Sequence, residues 1–91
     1  MLVRQPRYAP EDAARRGDEI YESAIRSHVQ ANHKGEYVAI DIDSGEWELA
    51  RDEDVASERL LARIPDAQTY VTRVGYGYIR RFGAGRIQKQ T

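Results

Sequence analysis

The sequence predicts an α+β domain with the element order α-β-β-α-β-β: one mainly antiparallel four-stranded sheet with two helices packed on one face. Three observations carry this. Apolar residues recur at three- and four-residue spacing over residues 10–31 and again over 52–64, the period of a helix. They alternate over residues 36–42 and 46–50, the period of a strand. Asp43-Ser44-Gly45 and Gly75-Tyr76-Gly77 supply turn chemistry between paired strands.

Residues 1–9 read as an irregular arm in which Arg4 and Arg7 lie among isolated apolar residues. Pro10 suits the first position of a helix, where its missing N–H has no intrahelical partner. Glu11 and Asp12 place negative charge at the positive end of the helix dipole, while Ala9 is a poor N-cap. Ala13, Gly17, Ile20, Tyr21, Ala24, Ile25, His28 and Val29 form the apolar face, and Glu22 to Arg26 is a favourable ion pair one turn apart. Gly17 weakens the helix by about 1 kcal/mol relative to alanine, so it marks a close crossing or a kink. Lys34 and Gly35 form the stop signal.

Residues 36–42 predict the first strand, with Val38, Ile40 and Ile42 on one face and Tyr37, Ala39 and Asp41 on the other. Residues 46–50 predict the second, with Trp47 and Leu49 opposite Glu46 and Glu48, so the hairpin is expected to keep one polar side. Asp52 is the expected N-cap of the second helix, with Val55, Ala56, Leu60, Leu61 and Ile64 as its apolar stripe and Pro65 as its end. Residues 68–74 and 78–82 predict the last two strands, and residues 83–91 a flexible basic tail. The single α+β domain thus spans residues 10–82. One domain is what 91 residues allow.

Composition narrows the function. The chain is 41% apolar and 32% charged, which fits a globular domain. It has no cysteine, excluding disulfides, thiolate metal sites and cysteine nucleophiles. No apolar run approaches the roughly 20 residues of a membrane span, and no signal-peptide pattern opens the chain, so a cytoplasmic location and no membrane partner are expected. The net charge of −1 hides a gradient: +1 over residues 1–35, −7 over 36–66 and +5 over 67–91.

Known chemistries are a poor match. His28 and His33 are five residues apart, about 140° around a helix, and do not share a metal-binding face. The run from Asp41 to Asp52 opens like a calcium loop but has Glu46 where the turn glycine belongs and Asp52 where the closing glutamate belongs. No serine has a nucleophile-elbow context, and neither glycine pair continues as a phosphate loop. No catalytic residue, metal or cofactor is expected. The most suggestive cluster is Arg73, Tyr76, Tyr78, Arg80, Arg81, Phe82 and Arg86, arginines interleaved with aromatics. It reads in three ways: an exposed hairpin whose arginines meet the acidic middle, a docking surface for a protein, or a stacking platform for nucleic acid.

A series of short motifs adds a resemblance. Arg7-Tyr8, Arg16-Gly17-Asp18-Glu19-Ile20-Tyr21, His33-Lys34-Gly35, Val38-Ala39-Ile40-Asp41-Ile42, Pro65-Asp66-Ala67-Gln68, Arg73-Val74-Gly75-Tyr76 and Arg81-Phe82-Gly83 resemble a family of small uncharacterised bacterial proteins. Members are often encoded beside a retropepsin-like aspartic protease. The resemblance implies an antitoxin-like or accessory protein and supplies no active site. The expected function is therefore a non-enzymatic protein-interaction module with a partner encoded nearby. The alternative is a small RNA- or DNA-binding protein using the basic C-terminal hairpin, and homodimer formation is a further expectation.

Overall fold

The structure, a computed structural model, describes residues 8–79. Most of the expected arm, and all of the expected tail, lie outside them. One long helix runs from Pro10 through three segments: α-helical Pro10–Ile20, π-helical Tyr21–Ile25 and α-helical Arg26–Val29. Pro10 opens it, and the Ala9 N-cap makes no side-chain hydrogen bond. Strand β1 (Tyr37–Asp41) and strand β2 (Trp47–Ala50) follow, then a second helix (Glu53–Arg63) and strand β3 (Thr69–Arg73).

The three strands make an antiparallel sheet with β1 at the centre, between β2 and β3. Val38 faces Leu49 on one side and Thr72 on the other. A three-residue segment, Gly77–Ile79, pairs along the outer edge of β3 through Val71, Thr72 and Arg73.

The α+β class fits, but the expected architecture does not. The sheet that carries the core has three strands rather than four, with Gly77–Ile79 as an edge segment; residues 80–82 of the expected fourth strand lie outside the described residues. Nor do the helices share a face. The long helix packs Ala13, Tyr21, Ile25 and Val29 onto Val38, Ile40, Ile42, Tyr70 and Val74. The second helix packs Ala56 and Leu60 onto Ala39, Ala50 and Val71, from the opposite side of the sheet. Residue alternation along β1 and β3 separates these two sets, because neighbours in a strand point to opposite faces. Along β1 no side is left open, since Val38, Ala39, Ile40, Asp41 and Ile42 are all buried, whereas Glu46, just before β2, stays exposed. Three alanines explain this. Ala39, Ala50 and Ala56 let the second helix lie close to a face that the pattern of large residues leaves looking unoccupied.

Gly17 is a close crossing. A Cβ there would lie 2.2 Å from Cγ of Tyr70, whose ring is almost fully buried against the helix. The apolar face is narrower than expected, since Ala24 and His28 are exposed. Asp52 caps the second helix as expected, accepting from the backbone N–H groups of Asp54 (2.8 Å) and Val55 (3.3 Å). Leu61 and Val55, expected in its stripe, are 38% and 37% exposed.

Candidate functional site

The site is a corner where the start of β1, the end of β3 and the middle of the long helix meet. Gly35 begins it. With φ at +91°, it turns the chain out of the helix and donates to the carbonyl of Val74 (2.8 Å). Its own carbonyl accepts from Nε of Arg73 (3.0 Å), which fixes that guanidinium. Tyr37 and Arg73 are register partners, so their side chains lie on the same face.

The Arg73 guanidinium is flanked by aromatic rings. Its central carbon is 5.3 Å from the centre of the Tyr37 ring and 4.3 Å from that of Tyr76. Lys34 reaches the Tyr76 ring as well, at 5.9 Å. Tyr37, Arg73, Tyr76 and Lys34 thus alternate ring and cation. Each such contact contributes about 0.5–1 kcal/mol at an exposed site. Gly75, at φ +85°, makes the turn that presents Tyr76, and its Cα lies directly beneath the Lys34 side chain. Tyr76 is 64% exposed, the most exposed of the large apolar side chains among the described residues. No carboxylate among the described residues pairs with Arg73.

Beside this corner is a cleft of about 210 Å³ lined by Tyr21, Glu22, Arg26, Gln30, Arg73 and Gly75. The π-helical turn shapes it. The Arg26 N–H bonds the Tyr21 carbonyl five residues back, so Arg26 sits against Tyr21. Arg26 donates from Nη1 to Glu22 (2.6 Å) and from Nε to Oε1 of Gln30 (2.9 Å). The bond to Glu22 holds the Arg26 guanidinium above its ordinary pKa. Burial raises the Tyr21 phenol, the nearby Glu22 carboxylate raises it further, and Arg26 opposes them. A more open depression of about 360 Å³ lies on the second-helix side, lined by Glu36, Leu49, Asp52, Val55 and Arg59 among others. Two of its polar groups are engaged: Asp52 caps the helix, and Arg59 donates to the Leu49 carbonyl (3.0 Å).

The acidic middle is tied to the chain's own groups. Arg63 of the second helix donates to Glu46 (3.0 Å) and pairs with Glu48 (2.7 Å), and the Glu46 bond raises its pKa. Asp41, 3% exposed, accepts from Ser44 Oγ (2.9 Å), from the Asp43 N–H (3.2 Å) and from the Gln68 N–H (3.1 Å), joining the β1–β2 turn to the start of β3. Among the described residues, no group of three or more histidines, aspartates or glutamates is placed to hold a metal ion. Nor, among them, is any helix long and apolar enough to cross a membrane.

Of the predicted site residues, Arg73 and Tyr76 come together. Tyr78 lies on the edge segment, opposite Thr72. Arg80, Arg81, Phe82 and Arg86 lie outside the described residues. Sequence reasoning missed Lys34 and Tyr37, and it missed the cleft. Lys34 read as a helix-end charge and Tyr37 as one alternating strand residue. The register with β3 brings Tyr37 to Arg73, and the turn at Gly75 brings Tyr76 to Lys34. No family model, curated protein or solved structure matches the chain.

Proposed function

We propose that the chain is a non-enzymatic protein-interaction module that docks its partner at the corner formed by Lys34, Tyr37, Arg73 and Tyr76. The observation that carries this is Tyr76: a large aromatic side chain, 64% exposed, flanked by two cations on a hydrogen-bonded turn. Tyrosine and arginine are the residue types that dominate binding energy at protein interfaces. Pre-ordering them lowers the entropic cost of association. The acidic residues that an enzyme would use are engaged in turns, a cap and ion pairs, which supports a binding role over a catalytic one.

The resemblance to a family encoded beside retropepsin-like aspartic proteases makes the neighbouring gene product the first partner to try. The test is co-purification of that product with the wild-type chain and with Tyr76→Ala, at about 0.15 M salt. The reading expects a complex with the wild type that the variant loses, with unchanged circular dichroism. No complex, or one that survives the substitution, contradicts it.

The same exposed ring between cations also fits base stacking, so single-stranded nucleic acid is the second reading. It requires affinity that falls steeply with salt, because phosphate contacts release counterions. Salt-insensitive capture of a protein removes it.

A further inference from the structure

Arg73 carries a charge that the chain does not answer with one of its own. All 15 acidic side chains of the sequence lie between Glu11 and Asp66, within the described residues. Among the described residues, none of them forms an ion pair with Arg73 or with Lys34. Glu22 is held by Arg26 (2.6 Å), and Glu36 lies against His33 (3.2 Å). Arg73 is half-buried, with the Tyr37 and Tyr76 rings at its flanks in place of water. A ring contact compensates a cation less well than a hydrogen bond from an ion does.

The corner also fixes which donors remain. Nε of Arg73 donates to the Gly35 carbonyl (3.0 Å), so the Nη nitrogens are the part of the fork left to take a further acceptor. The space beside them is open: a Cβ placed on Gly35 would touch only Nη2 of Arg73 (3.9 Å), its chain neighbours aside. Lys34 and Arg73 both contact the Tyr76 ring, so a group seated against that ring is within reach of both cations. A planar acceptor with two oxygens matches a guanidinium whose flanks are taken by rings. Tracking a run of phosphates needs a row of cations; this corner offers two, which suits one carboxylate.

We propose that Arg73 and Lys34 clasp one acidic side chain of the protein that docks at this corner, an aspartate or glutamate whose two oxygens meet the Nη nitrogens of Arg73, with Lys34 beside them. The proposal rests on the docking reading of the corner and gives that partner its chemistry: an acidic side chain next to the surface that packs on Tyr76. Fixing a charge pair beside an aromatic anchor sets the register of the partner as well as its affinity.

The test is NMR of the full chain titrated with N-acetyl-glutamate amide, with the neutral N-acetyl-glutamine amide and with inorganic phosphate, all at one ionic strength. The glutamate probe is expected to shift the Arg73 Nε–H signal and the amides of Gly35 and Tyr76 saturably, and the glutamine probe to leave them in place. Arg73→Lys keeps the charge but loses the fork, and should weaken binding roughly tenfold. Lys34→Gln, at an exposed position, should weaken it only about two- to threefold. Arg15→Gln removes an exposed charge elsewhere on the long helix and should change nothing. Circular dichroism checks that Arg73→Lys is folded, and Lys34→Gln carries the test if it is not. Equal responses to both amides, no response, binding undiminished in both Arg73→Lys and Lys34→Gln, or tighter binding of phosphate overturns the proposal. The two readings fail separately. Partner capture lost in Tyr76→Ala but undiminished in Arg73→Lys overturns the clasp and leaves the docking corner standing. Saturable glutamate binding without any captured partner supports the clasp and overturns the docking reading.

Discussion

Single residues set the limits of this fold. Gly17 is the tightest point, because any side chain there meets the Tyr70 ring. Gly17→Ala would gain about 1 kcal/mol of helix propensity, but the overpacking should dominate and destabilise the chain by about 3 kcal/mol. Thermal melts read this directly. Asp41 does its work through three hydrogen bonds from two loops, and Asp41→Ala would leave their donors orphaned inside the protein. A loss of about 3 kcal/mol is expected in denaturant unfolding. Tyr21 sets a pH dependence. Its folded pKa is raised above the ordinary 10.0, chiefly by burial, so the folded state holds the proton more tightly than the unfolded state does. That contribution is fully present below pH 10.0 and disappears as pH rises through the higher folded value. Tyr21→Phe should flatten the alkaline fall in stability, measured as melting temperature against pH; an identical fall in both proteins would contradict the assignment.

At the scale of elements, the long helix shows why its middle is π-helical. Ala13, Gly17, Tyr21, Ile25 and Val29 are buried at strict four-residue intervals. On an ideal α-helix each such step rotates about 40° past a full turn, which carries a five-residue stripe off the sheet. The wider turn at Tyr21–Ile25 recovers part of that rotation. The spacing was visible in the sequence; the wide turn was not, because four-residue steps also occur in ordinary helices. Asp52 and Gly35 were legible for a different reason: capping and left-handed turns depend on local chemistry alone. The placement of the two helices was not legible. Ala39, Ala50 and Ala56 are far apart in the chain and become one surface only after β1 and β2 pair. The second helix also guards a sheet edge. Arg59 and Arg63 donate to the carbonyls of Leu49 and Trp47 on β2, the outer strand. Unpaired edge carbonyls invite pairing with another chain. Removing both arginines (Arg59→Ala with Arg63→Ala) should raise self-association in concentration-dependent size-exclusion chromatography, and a monomer at every concentration would contradict that role.

For the whole molecule, the charge gradient read from the sequence takes on a physical meaning. The acidic middle is balanced locally: Arg63 from the second helix meets Glu46 and Glu48. Arg73, from the basic third of the chain, meets rings and a carbonyl instead. Among the described residues, Arg63 and Arg73 thus meet different kinds of partner. Of the predicted cluster, Arg73 and Tyr76 were legible as neighbours in sequence, whereas Tyr37 needed the register between β1 and β3 and Lys34 the turn at Gly75. The proposed docking corner puts Tyr76 against a protein. Photo-crosslinking tests it most directly, with benzoylphenylalanine in place of Tyr76 in one chain and in place of Leu61, exposed on the second helix, in the other. One discrete protein adduct is expected from position 76, resistant to nuclease and absent from position 61. No adduct at position 76, or one that nuclease removes, would contradict it.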